Sequence, residues 1–150
     1  MHKPYKFTIV NNRMIHAVLQ PQEIEVFYII PSIRSSLAKH LKNEGKNQKT
    51  IAQLLGIQTS TVSHYLNNKR AAKITFTKDI EQALQQEATT IKKQTDVIKI
   101  TQYILQLIRT SKAICDIHHQ IANNVPKACD ACYTETLLEV KTNGRTKKKV

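Results

Sequence analysis

Gly56 is the residue that most constrains how this chain can fold. It separates two short stretches of helical patterning, one presenting Ile51, Leu54 and Leu55 and the other Val62, Tyr65 and Leu66. Helices this short gain little stability alone in water, so their apolar faces must pack on each other and on a third element. A chain that reverses so tightly needs a left-handed backbone position, which glycine adopts without penalty. Ala52 is small enough for the second helix to cross close to the first, and Ile57 plugs the joint between them.

Once the inward residues are assigned, the second helix, spanning about residues 59 to 67, is left with a polar outer side: Gln58, Thr59, Ser60, Thr61, Ser63, His64 and Asn67. All can hydrogen-bond and none is acidic, which suits the donor and acceptor pattern of base edges in a major groove. Thr59 or Ser60 is expected to cap this helix. Gln48 opens the first helix, where it can touch a phosphate and hold register, while Lys69, Arg70 and Lys73 follow the second as backbone clamps. The charge falls in the same place. Residues 31 to 77 carry eight Lys or Arg against the single acid Glu44, +7 of the +12 total. A phosphate polymer rewards that excess through counterion release.

In its order of Gln48, Ala52, Gly56, Ile57, Val62 and Tyr65-Leu66, the segment resembles the helix-turn-helix of the repressor and Cro type, the XRE-like group. More widely, Pro31-Ser32-Ile33-Arg34 entering a helix, this motif and the cysteine pairs beyond it resemble a group of predicted archaeal transcriptional regulators over residues 24 to 135. The resemblance implies a DNA-binding core of five-helix type and a regulatory role. It supplies neither operator nor effector.

At 150 residues the chain holds one ordinary domain, or one small domain with an appended module, which excludes a large multidomain enzyme. The longest strongly apolar run, Val26 to Ile33, is interrupted by Pro31 and falls far short of the roughly 20 residues of a membrane span. The N-terminus lacks the apolar stretch of a secretory signal, so a cytoplasmic protein with reduced cysteines is expected. Two other classes fit a basic helical chain: an RNA-binding or ribosome-associated protein, and an adaptor whose helix-turn-helix binds protein. An amphipathic hairpin with no nucleic-acid role would also explain the apolar spacing, but not the missing acids.

The expected fold is all-α, with segments in the following order. Residues 1 to 20 hold two β-forming runs around Asn11-Asn12-Arg13, compatible with a short hairpin. Residues 21 to 76 form the helix-turn-helix domain; Pro31 must kink or divide its first helix, and Gly45 suits a left-handed stop. Residues 77 to 112 form a helical region, with Thr77 capping a helix from Lys78. The dense stripe from Val97 to Ile114 serves either as intramolecular core or as the contact of a homodimer, with Ile91, Ile98 and Leu105 seven apart. Residues 113 to 140 form a Cys/His module, and 141 to 150 a disordered basic tail.

The three cysteines fall within 18 residues in the pattern C-x2-H-x10-C-x2-C: Cys115, His118, Cys129 and Cys132. Two pairs, each able to grip an ion from one turn and joined by a loop that can fold back, are the logic of a Cys3His zinc site. His119 could replace His118, and an iron–sulfur cluster, unconnected thiols or a reversible Cys129–Cys132 disulfide are the alternatives. Cys115 beside His118 could also mimic a nucleophile and base, but no orienting third group or Gly-rich loop accompanies them, so no enzyme is expected. His2, His16 and His40 read as surface residues.

Overall fold

The computed structural model describes residues 19–122, 125–129 and 131–133, and of Tyr133 the backbone only. The N-terminal hairpin and the basic tail expected from sequence lie outside these residues. Among the described residues the chain is all-helical, in the order α1 (Pro21–Ile24), a π-helical turn (Glu25–Ile29), α2 (Ile30–Asn43), α3 (Gln48–Leu55), α4 (Thr59–Leu66), α5 (Lys78–Ala88), α6 (Gln94–Thr110) and α7 (Ala113–Ile121), then a 3-10 turn at Ala131–Tyr133.

Helical structure runs through Pro31, where the sequence predicts a kink or a division. Pro31 cannot donate to the carbonyl one turn back, and its ring crowds that carbonyl. The chain responds by widening the preceding turn, where the Ile30 amide donates to the Glu25 carbonyl five residues back, and α2 then continues to Asn43. Ile33, Leu37, Ala38 and Leu41 line the fully buried side of α2.

Five helices, α2 to α6, surround one core, with α2 against α3, α4, α5 and α6. Ile51 and Leu55 of α3, Val62 and Tyr65 of α4, Ile80 and Leu84 of α5, and Ile100, Ile104 and Ile108 of α6 fill it. The dense stripe is therefore mostly intramolecular core. It is also two helices rather than one: the chain turns at Ser111 and Lys112, whose φ of 61° is left-handed, and α7 packs back with Ala113, Ile114 and Ile117 buried. The seven-residue spacing forms no continuous seam, since Ile91 precedes α6 and Ile98 is 61% exposed between the buried Ile91 and Leu105.

Polar contacts lock these elements in place. Glu25, only 7% exposed, receives both Nε (2.6 Å) and one terminal nitrogen (2.7 Å) of Arg109, joining the wide turn to the end of α6. Ser36 and His40 of α2 reach the Glu81 carboxylate of α5 at 2.5 and 3.2 Å. His40 is thus half-buried and engaged, not the plain surface residue its sequence context suggests. Thr77 stands at the N-cap of α5 without a side-chain capping bond. At α6, the Asp96 carboxylate accepts the Lys92 and Lys93 amides at 3.0 and 3.1 Å.

Candidate nucleic-acid interface

The hairpin of α3 and α4 is built by its ends. Asn47 accepts the Thr50 amide at 2.8 Å and so starts α3, a capping role that its place behind Gly45 and Lys46 conceals in the sequence. Gly56 closes α3 at φ 64°, and the Ile57 amide returns to the Ala52 carbonyl at 3.0 Å. A distant residue completes the joint: Gln94, the first residue of α6, donates to the Gln53 carbonyl at 2.9 Å and lies against Gly56.

α4 is buried through Val62 and Tyr65, with Leu66 half-buried, and its other side faces out. Its N-cap is Gln58, without a side-chain cap, so neither Thr59 nor Ser60 performs the expected capping. Both are instead exposed in the first turn beside Gln58, and His64 is exposed one turn further on. Thr61 and Ser63 are only partly accessible. Asn67 donates from Nδ2 to the Ser63 carbonyl at 2.9 Å and to Ser63 Oγ at 3.3 Å, so these two side chains finish the helix on each other. The outward surface free of acids therefore concentrates at Gln58, Thr59, Ser60 and His64. Gln48 is partly accessible at the start of α3.

After α4 the chain makes two left-handed steps, Asn68 (φ 55°) and Ala71 (φ 59°), which hold Lys69 and Arg70 exposed. Lys39 of α2 fixes the first by donating to Asn68 Oδ1 at 2.8 Å. Lys73 lies 5.9 Å over the Tyr28 ring. Between this loop and the start of the first helix is an open cavity of about 510 Å³ lined by Phe27, Tyr28, Pro31, Lys69, Arg70 and Lys73. The cation-and-aromatic surface joins residues some forty positions apart, and no local sequence signal announces it.

The Cys/His residues lie on α7 and in the turns that follow it. Cys115 and His118 occupy one flank of α7, a turn apart. His118 is 7% exposed, and its Nε2 is buried with no hydrogen-bond partner among the described residues, whereas His119 is half-exposed. Burial, and then His119, lower the His118 pKa from its ordinary value. Burial raises the Cys115 thiol, and Cys132 and Cys129 raise it further; Cys132 is raised by desolvation and by Cys129. Among the described residues no three His, Cys, Asp or Glu side chains are gathered tightly enough to hold an ion.

No helix among the described residues is long and apolar enough to cross a membrane. No curated protein and no solved structure matches the chain. Residues 37–91, from the middle of α2 to the approach of α6, match the family described as Helix-turn-helix. That match and the geometry of α3 and α4 give a helix-turn-helix within a bundle that is all-α among the described residues.

Proposed function

We propose that this protein is a sequence-specific regulator of transcription that lays α4 in the major groove of double-stranded DNA. One observation carries the reading: the helix buried through Val62 and Tyr65 turns Gln58, Thr59, Ser60 and His64 outward with no acid among them, directly before the exposed Lys69 and Arg70. The first turn of α4 reads base edges. Gln48, Lys69 and Arg70 hold the two backbones, and Lys73, on the cavity beside them, adds to the field.

An eight-residue reader covers a half-site, so the protein acts as a homodimer on two half-sites. Most of the α6 stripe is consumed within the protomer, which leaves the exposed Ile98 and Tyr103 as the part of α6 available for pairing. Selection of bound duplexes from a random pool tests both parts. A symmetric consensus is expected; no enrichment, together with tighter binding of structured RNA at matched salt, would overturn the reading.

A further inference from the structure

Apart from the reader, the chain carries one cluster of soft ligands, and its members belong to two structural pieces. Cys115 and His118 are fixed on α7, whose Ile114 and Ile117 are anchored in the core. The Cys129 amide bonds the Pro126 carbonyl at 3.1 Å, closing a turn that ends at Cys129, and Cys132 lies in the 3-10 turn Ala131–Tyr133. Cys132 also lines a cavity of about 360 Å³ with Glu25, Arg109 and Ile114, so this returning segment lies against the corner between α1 and the end of α6.

We propose that Cys115, His118, Cys129 and Cys132 form a tetrahedral zinc site that fastens the C-terminal segment to α7. Three features converge on it. The pattern C-x2-H-x10-C-x2-C supplies two ligand pairs, each spaced for a single turn. The buried Nε2 of His118 has no hydrogen-bond partner among the described residues, although buried polar atoms in folded proteins are nearly always satisfied. The more exposed His119, the other candidate from sequence, has no such deficit. Finally, Cys132 shares its cavity with Ile114, the α7 residue next to Cys115, so the turn that carries the second pair lies against the helix that carries the first.

Three thiolates and one imidazole suit zinc, whereas an ordinary iron–sulfur cluster takes four cysteines. Among the described residues the four side chains are not gathered in coordinating positions. Such segments close on the ion as they bind it, since the binding free energy also orders the chain that supplies the ligands. Each cysteine releases its proton as its sulfur bonds the metal, and neutral His118 donates its Nε2 lone pair. The site is independent of whether α4 reads DNA.

The test uses the full-length chain, purified reduced and without oxygen. One zinc per chain is expected, as are the strong visible bands of tetrahedral thiolate-bound cobalt on titration with Co²⁺. Cys129→Ser and Cys132→Ser, in a segment outside the main core, should each weaken zinc at least about tenfold, while His119→Ala binds as the parent. His118→Gln, with its helical content checked by circular dichroism, should lose affinity to a similar degree. Cobalt without thiolate bands, serine variants that bind as the parent, or recovery of iron with sulfide would each overturn the site.

Discussion

Arg109 grips Glu25 through two nitrogens at 2.6 and 2.7 Å, and the carboxylate it grips belongs to the first residue of the π-helical turn. The wide turn that accommodates Pro31 is therefore tied to the last turn of α6. Glu25 is almost fully buried and Arg109 about half-exposed, so the two partners are not equivalent. Arg109→Ala strands a buried carboxylate and should cost roughly 1 to 3 kcal/mol, reduced from the value for a fully buried pair by the solvent around the guanidinium. Glu25→Gln removes the buried charge and keeps an acceptor, and should cost less. Urea titrations of both variants check the order.

The joint of the hairpin gives a second prediction. Gly56→Ala should destabilise by about 1 to 2 kcal/mol, because alanine resists φ 64°. The added Cβ would stand 3.4 Å from the Gln94 side chain, so backbone conformation rather than crowding dominates. Gly56→Asn should be milder, as asparagine tolerates the left-handed region better. Thermal melts that place both variants at the parent value would show that the turn carries no such strain.

The outer side of α4 divides by role. Gln58→Ala and Ser60→Ala should relax choice at single base pairs, by about 1 to 3 kcal/mol between preferred and altered duplexes. Arg70→Ala should weaken all duplexes alike and lower the salt slope by about 1. Asn67→Ala should leave base preference untouched, since that side chain already serves Ser63. Fluorescence anisotropy on a panel of single-base variants distinguishes the three patterns. A preference changed by Asn67→Ala would mean that its side chain leaves Ser63 for the groove.

Asp96 sets a dependence on pH. Hydrogen bonds from the Lys92 amide, and then from the Lys93 amide, hold its carboxyl below the usual carboxylate range, with Lys93 and Lys99 adding attraction. Because its folded pKa is depressed, its contribution is full above about pH 4 and is lost as pH falls through the folded value. Asp96→Asn should lower Tm at pH 7, and the difference should narrow steadily in acid. A constant gap between pH 7 and about pH 3 would contradict this.

What could be read from sequence follows the range of the cause. The turn at Gly56, the stop at Gly45 and the inward placing of Ile51, Val62 and Tyr65 are local consequences of spacing and backbone freedom, and all were legible. The widened turn before Pro31 was not, because apolar periodicity reports faces and not which carbonyl an amide reaches. The break at Lys112 carries no glycine to mark it. On α4 the exposed polar side was legible, but the mutual engagement of Ser63 and Asn67 and the Gln94 bond to Gln53 depend on rotamers and on packing across 41 residues.

Thr75 and Gln120 exchange two hydrogen bonds, the Thr75 amide to Oε1 at 2.7 Å and Nε2 to the Thr75 carbonyl at 3.0 Å. A side chain near the end of α7 thus imitates a strand partner for the loop that follows Lys69, Arg70 and Lys73. The smallest fragment that keeps this loop in shape accordingly extends through α7, well past the stretch that carries the helix-turn-helix pattern. A version trimmed after α6 would retain every residue proposed to face the bases and lose the brace behind them. Its slackness would register as lost affinity, with no group proposed to touch DNA having been removed.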